Sequence, residues 1–300
     1  MSPILVFLGG LLIALFVGML TGIFGVGGGF LLTPALIILL GVPAATSVGT
    51  GLATFLVNSS FGMFKRRGTG TVDVKIAMTI AAGMLVGVMI GSTALEYFEH
   101  LPPLLINGRE VIAVQFILLC AFMAVLVWIA GFMWSDYHRT GGKAPKKRVG
   151  LLTRVKIPPY GHFKSLEQPR LSIVVLALLG LFTGFLTGLM GIGGGVVLLP
   201  ALIYLVGQRM SKAAGTSLML VWCSSLIAVI ANVINQNIDG FLWITLVSGG
   251  LTGTFIGTKI GLKLAGPKLR LYFVYVVLAS VVMVGYQIVK LIFFGAPVGH

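Results

Sequence analysis

The stretch TGIFGVGGGF at residues 21–30 interrupts the first apolar segment of the chain, and it returns as TGLMGIGGGV at residues 187–196. Shifting the numbering by 166 aligns residues 12–91 with residues 178–257 without a gap. About 29 of the 80 paired positions are identical, which is the degree of self-similarity found in internal structural repeats. The chain is therefore expected to build one structural unit twice.

The composition places these two units in a membrane. Of the 300 residues, 57% are apolar and only 9% are charged. Several apolar runs reach the roughly 18–20 residues that cross a bilayer as a helix. The net charge of +14 comes largely from basic residues in loops between apolar runs, a pattern typical of cytoplasmic loops. We therefore expect a multi-pass protein of the cell (inner) membrane that contacts the lipid bilayer and no nucleic acid.

The predicted fold class is an all-α polytopic membrane protein with two inverted repeats. Each repeat has a glycine-broken re-entrant or half-helix hairpin followed by three transmembrane helices. The predicted domains are a first repeat at residues 1–134, a basic cytoplasmic loop at 135–170 and a second repeat at 171–300. The predicted apolar segments cover residues 3–20, 31–40, 46–64, 74–97 and 111–134 in the first half, and 171–186, 196–206, 213–234, 241–264 and 269–294 in the second.

Loop charge predicts the orientation of the two copies. Lys and Arg are concentrated in residues 65–75, 135–170, 207–212 and 263–270 and are nearly absent from three other loops. One topology places all four basic loops in the cytoplasm, with both termini outside and the first segment retained. In that topology each hairpin enters and leaves on one side and three crossings follow, so the second copy is inverted.

The glycine breaks predict an anion site. A break in a membrane helix leaves backbone N–H groups that need protein, water or a ligand as acceptors. A short half-helix follows each break, and its N-terminus carries free donors and a partial positive charge. The glycines would let an anion approach this backbone, although they could also serve only tight turning and helix packing. The candidate binding residues here are Gly27, Gly28, Gly29, Gly193, Gly194 and Gly195.

Polar residues at helical spacing follow each hairpin and extend the candidate site. A stripe of small hydroxyl and amide groups can line an anion path, but Ser and Thr in membrane helices also bond their own i−4 carbonyl or join neighbouring helices. Leu220 interrupts the second stripe where the first has Thr54. The candidate lining residues are Thr50, Asn58, Ser59, Thr216, Ser217, Ser224 and Ser225.

Several chemistries are disfavoured by what the apolar segments lack. No Asp or Glu lies deep in a segment, which argues against a cation transporter or a carboxylate proton relay. Asp73 and Asp239 stand at helix starts and are read as N-caps. All four histidines lie in loops or at the end of the chain, and Cys120 and Cys223 are read as core residues. No catalytic residue, metal site or cofactor is therefore expected, and the glycine pattern does not complete a nucleotide-binding motif.

The duplicated motif T-G-[IL]-[FM]-G-[VI]-G-G-G-[FV]-x-L-x-P-A-L, followed each time by G-T-[GS]-L, resembles the sulfite exporter TauE/SafE family of anion permeases. The resemblance implies transport of sulfite, sulfonates or other small organic anions across a prokaryotic inner membrane. The second copy departs from the first where Gln208 to Lys212 replace Val42 to Thr46. An anion-selective channel and a membrane-embedded enzyme acting on an anionic lipid stay open as alternatives, as does assembly into a homo-oligomer.

Overall fold

A computed structural model describes residues 3–106, 109–139, 150–155, 157–163, 166, 170–264 and 266–294. Nearly all of these residues are helical, as predicted. The helices of the first half are α1 (Pro3–Phe24), α2 (Gly29–Leu39), α3 (Ala44–Arg66), α4 (Val74–Glu99) and α5 (Ala113–Arg139). Those of the second half are α6 (Ile173–Met190), α7 (Gly195–Pro200), α8 (Met210–Ile234), α9 (Gly240–Lys263) and α10 (Gly266–Phe294).

The helix lengths confirm a polytopic membrane protein. Within the described residues, seven helices are long and apolar enough to cross a membrane, namely α1, α4, α5, α6, α8, α9 and α10. The short apolar helices are α2 and α7, the latter continued by a π-helical turn at Ala201–Leu205. Each hairpin therefore pairs one full-length helix with one short helix. The start of α1 lies beside the end of α2, since a Cβ on Gly9 would come within 2.9 Å of the Leu40 side chain.

Two small antiparallel hairpins lie in loops and were not predicted. Strand β1 (Leu104–Ile106) pairs with β2 (Arg109–Val111), and β3 (Tyr160–His162) pairs with β4 (Arg170–Ser172). Strands of three residues are too short to show the alternation of apolar and polar residues by which a sequence reveals a half-buried strand.

The expected solvated loop at residues 135–170 is partly packed against the helices. Helix α5 continues past Trp134 to Arg139, and Asp136 in its last turn forms an ion pair with Arg270 of α10. Gly150, Phe163 and Leu166 are buried. The expected linker thus has local structure, since Phe163 and Leu166 belong to the apolar core formed with the helices. Residues 140–149, 156, 164–165 and 167–169 lie outside the described part.

Glycine faces join the two halves of the chain. Helix α1 packs mainly along α9, and α4 mainly along α6. A Cβ on Gly83, Gly87 or Gly91 would lie within about 2.2 Å of a carbonyl oxygen of α6, so only glycine allows this approach. The faces of α9 and α1 repeat these contacts at positions shifted by 166, for example Gly253 against Leu15. The four-residue spacing of Gly83, Gly87 and Gly91 predicts from the sequence a face of small residues on which helix backbones approach closely, and these contacts confirm it.

The direction of the helices follows from contacts between named positions. Gly83, Gly87 and Gly91 meet Ala177, Leu181 and Phe185 in the same order, so α4 and α6 run parallel, as do α1 and α9. By contrast, α3 and α8 run antiparallel. A Cβ on Gly62, late in α3, would lie 2.8 Å from Leu218, early in α8, while Trp222 donates a hydrogen bond to Ser60. These two helices occupy equivalent positions in the repeats.

Helix direction divides the loops between two ends of the bundle. One end of the bundle holds residues 67–73, the described linker residues 150–155 and 157–163, residues 206–209 and Leu264, and we call it the basic end. Contacts between Thr71 and Gly215 and between Asp136 and Arg270 join these loops. The opposite end holds residues 40–43, 100–106, 109–112 and 235–239, and there Asn235 donates a hydrogen bond to Glu96.

The glycine faces make a stability prediction. In Gly87→Ala the new Cβ would meet the carbonyl oxygen of Leu181 at 2.1 Å, so we expect a loss of about 1–3 kcal/mol in the free energy of unfolding. Gly131→Ala is the matched control, because Gly131 lies in a helix with nothing within 4 Å of its Cβ position. Thermal unfolding of the purified variants in detergent measures both. Equal unfolding temperatures for the two variants would contradict the packing described for α4 and α6.

Candidate functional site

The two glycine breaks form sharp tips between the helices of each hairpin. Gly25, Gly27 and Gly28 have φ values of 70°, 76° and 75°, and their counterparts Gly191, Gly193 and Gly194 have values of 67°, 68° and 72°. Residues with a side chain are disfavoured in this left-handed region. The spacing of the glycines is therefore set by the backbone turn that each tip makes.

The tips of the two hairpins touch each other. A Cβ on Gly29 would lie 2.4 Å from the carbonyl of Ile192, and a Cβ on Gly195 would lie 1.8 Å from the carbonyl oxygen of Val26. These two contacts are equivalent under the shift of 166. The tips lie beside Val221, near the middle of α8, so the breaks meet midway along the bundle.

Backbone donors at both tips have no acceptor among the described residues. After the first break, the hydrogen bonds resume with the N–H groups of Leu31 and Leu32, which donate to the carbonyl of Gly28. After the second break, Val197 and Leu198 donate to Gly194 in the same way. The N–H groups of residues 27–30 and 193–196 precede these bonds and are left over. They lie at the positive ends of α2 and α7, where an anion is stabilised.

Thr50 and Thr216 connect the repeats instead of facing open space. The hydroxyl of Thr50 accepts a hydrogen bond from the backbone N–H of Asp239 at 3.1 Å, and Thr216 accepts one from Asp73 at 3.0 Å. The carboxylates of Asp73 and Asp239 accept the N–H groups of Ile76 and Leu242, which confirms the predicted N-caps. Each threonine thus fixes the start of a helix in the other repeat.

The other predicted lining residues have different partners. Ser59 donates to the carbonyl of Phe55 at 2.6 Å, the i−4 bond that sequence reasoning left open. The Ser224 hydroxyl lies 3.0 Å from the carbonyl oxygen of Val221 in its own helix and 3.3 Å from that of Gly193 at the second tip, and it can donate to either. Asn58 faces α9, because a Cβ on Gly250 would lie 2.4 Å from its Nδ2.

Three polar atoms of the predicted lining residues are buried without a partner among the described residues. They are Asn58 Oδ1, Ser217 Oγ and Ser225 Oγ. Buried side-chain polar atoms nearly always have a hydrogen-bond partner in native proteins, so each exception needs an explanation. A polar ligand that enters between the tips and these helices would supply one.

Two further features bear on the chemistry. Within the described part, no group of three His, Cys, Asp or Glu side chains lies close enough to hold a metal ion, and both cysteines are free thiols. Sequence reasoning overlooked Arg66, which is 3% exposed although it sits in a basic run at a helix end. The alignment of the two repeats could have drawn attention to Arg66, because the equivalent residue, Asn232, is neutral.

A bundle of apolar helices in which two broken helices meet at buried, unpaired donors defines a multi-pass membrane transporter. The chain belongs to the sulfite exporter TauE/SafE family, whose model matches residues 10–284.

Curated relatives span most of the chain. The probable membrane transporter protein YjnA of Bacillus subtilis is 26% identical over 272 residues, which cover 90% of this chain and 96% of the relative. A probable membrane transporter protein of Xylella fastidiosa (strain Temecula1) is 26% identical over 253 residues, 84% of each chain. The probable membrane transporter protein MJ0441 of Methanocaldococcus jannaschii is 26% identical over 238 residues, 78% of this chain and 74% of the relative. No solved structure gives a significant match.

Two neighbouring serines allow a test of the unpartnered groups. Ser225→Ala removes a buried hydroxyl that has no partner, so in detergent without added anions we expect an unchanged or higher free energy of unfolding. Ser224→Ala removes the bond to Gly193, so we expect a loss of about 0.5–1.5 kcal/mol. Thermal or denaturant unfolding compares the two variants. A larger loss in Ser225→Ala than in Ser224→Ala would mean that the Ser225 hydroxyl has a partner within the protein.

Proposed function

We propose that the protein is a secondary transporter of small anions, with sulfite, organosulfonates or related organic anions as substrates. The observation that carries this proposal is the contact of two tips whose backbone N–H groups have no acceptor among the described residues. The name of the family supplies sulfite as the first substrate to test. No catalytic role is proposed for any residue.

We further propose that the repeats are inverted and that transport proceeds by alternating access around the tips. The antiparallel course of α3 and α8 supports the inversion, because equivalent helices run in opposite directions. Residues 20–37 and 186–203 are all buried, so neither tip is open to solvent in this conformation. An anion could reach the donors only after a rearrangement that opens one side of the bundle.

Gly193→Ala tests the role of the tips with little steric disturbance. The new Cβ would lie 3.4 Å from Val221, an ordinary contact, whereas a Cβ on Gly28 would lie 2.3 Å from Val17 and disturb folding. We expect sulfite flux into proteoliposomes to fall by about tenfold or more, because a methyl group and a strained φ disturb the backbone donors. A tenfold change corresponds to about 1.4 kcal/mol of free energy.

The Gly131→Ala variant, which places its methyl group in open space, is the control for reconstitution. Wild-type flux in Gly193→Ala would overturn the role given to the tips. Counterflow of unlabelled sulfite separates a transporter from an anion-selective channel, because only alternating access couples the two directions. Flux without saturation or counterflow would favour the channel.

We also propose that the basic end faces the cytoplasm. In a background with Cys120→Ala and Cys223→Ala, the Tyr160→Cys variant places one thiol in the linker and Glu99→Cys places one at the opposite end; both native residues are exposed. Because basic loops are retained in the cytoplasm, a membrane-impermeant maleimide added to intact cells should label Glu99→Cys alone. Permeabilised cells should show both variants labelled. Labelling of Tyr160→Cys in intact cells would reverse the orientation.

A further inference from the structure

Arg66 is a buried cation with incomplete hydrogen bonding. It is the last residue of α3 and is 3% exposed. Its Nη2 donates to the carbonyl oxygens of Gly22 at 2.9 Å and Ile23 at 3.4 Å, in the last turn of α1. Its Nε is buried without a partner among the described residues, and none of them accepts a hydrogen bond from Nη1. A buried guanidinium in this state is costly unless another group satisfies it.

Capping of α1 does not account for this arginine. The carbonyls at the end of a helix favour a nearby cation, and Nη2 meets that need. The second repeat, however, builds the same hairpin without a cation. Its residue at the equivalent position is Asn232, whose Nδ2 donates to Ala228 in its own helix. The scaffold therefore does not require an arginine at this position.

Arg66 also lines a cavity at the basic end. This cavity has a volume of about 550 Å³, and its walls include Arg66, Arg67 and Thr71. A second cavity of about 270 Å³ shares Gly70 and Val72 with the first and adds three charged residues, Asp73, Lys75 and Lys212. The two adjoining cavities form a space that we call the basic vestibule. Its charged lining residues are four cations and one carboxylate, so it attracts anions.

The cations of the basic vestibule have no basic counterparts at the equivalent positions of the other repeat. The residues equivalent to Arg66, Arg67, Lys75 and Lys212 are Asn232, Val233, Phe241 and Thr46, none of which is basic. Retention of basic loops in the cytoplasm explains exposed charges such as Arg67. It does not explain Arg66, which is buried and whose Nε has no acceptor among the described residues.

We propose that Arg66 binds a small oxyanion at the inner end of the basic vestibule, before the anion reaches the tip of the first hairpin. The carbonyls of Gly22 and Ile23 hold the guanidinium through Nη2. Nε and Nη1 remain as charged donors on the other edges of the guanidinium, and each can donate to an oxygen of sulfite or a sulfonate. The held carbonyls lie shortly before Gly25, the first residue of the tip with positive φ. This site rests on the proposed function, because the transported anion would bind here before it binds at the tips.

The test measures anion binding separately from flux. Purified full-length protein is titrated with sodium sulfite, against sodium chloride at equal ionic strength, and the rise in unfolding temperature gives the half-saturating concentration. In Arg66→Asn, which introduces the residue of the second repeat, this concentration should rise by about tenfold or more, as expected for loss of hydrogen bonds from a charged donor. Arg66→Lys keeps the charge but loses the planar set of donors, so it should show an intermediate increase.

Arg67→Asn is the matched control, because it removes an exposed cation from the same cavity. Its half-saturating concentration should change by no more than about threefold, as expected for a solvent-screened charge. If Arg66 serves only to cap α1, Arg66→Asn will lower the unfolding temperature without sulfite and leave the half-saturating concentration unchanged. That result overturns the proposal, as does an absence of sulfite-dependent stabilisation in the wild type. Should Arg66→Asn fail to fold, the same criterion applies to Arg66→Lys.

Sulfite flux in proteoliposomes separates this proposal from the proposed function. Binding that depends on Arg66 in a protein that moves no anion would leave the site standing and refute the transporter. Flux by the wild type, together with an unchanged half-saturating concentration in the Arg66 variants, would refute the site and leave the transporter standing.

Discussion

The rest of this structure depends on one constraint: midway along a bundle of apolar helices lie buried backbone N–H groups that have no acceptor in the part of the chain that the structure describes. A helix that stops inside the membrane exposes its first donors where no water is available to satisfy them. Here the two breaks lie against each other, with Gly29 beside Ile192 and Gly195 beside Val26. The contact excludes lipid from both tips at once. The glycines that make the turns possible are therefore also the residues that let the two tips approach each other.

The helices around the tips are joined across the repeats, and this determines which parts can move together. The backbone of α1 is in close contact with α9, and that of α4 with α6, so these pairs cannot slide without breaking contacts that only glycine permits. Thr50 and Thr216 add a hydrogen bond from each repeat to the start of a helix in the other. A motion that separates the tips must carry each hairpin together with a helix of the opposite repeat. The moving unit is then a mixed pair of helices and not one half of the chain.

The sequence predicts what depends on local pattern and misses what depends on tertiary contact. The lengths of the apolar runs predict the ten segments and the two short helices among them. Capping chemistry predicts the N-caps at Asp73 and Asp239, and glycine spacing predicts the face of α4 that packs closely on α6. The cross-repeat bonds of Thr50 and Thr216 could not be predicted, because their partners lie more than a hundred residues away. The lining role of the polar stripe stays a prediction for the same reason. The Ser59 hydroxyl bonds only carbonyls of its own helix, whereas the Ser224 hydroxyl reaches a carbonyl of its own helix and one of the second tip.

The symmetry of the scaffold contrasts with the asymmetry of its charges, and the contrast has consequences for direction. Contacts that repeat under the shift of 166 give the two ends of the bundle the same geometry, so a rearrangement at one end has a counterpart at the other. Charge does not repeat: Arg66 and Lys212 at the basic end correspond to Asn232 and Thr46 at the opposite end. A cationic space raises the local concentration of anions and their rate of entry, whereas a neutral one does not. In the alternating-access cycle that we propose, equal geometry would provide two equivalent openings, and unequal charge would make capture of an anion faster at the basic end.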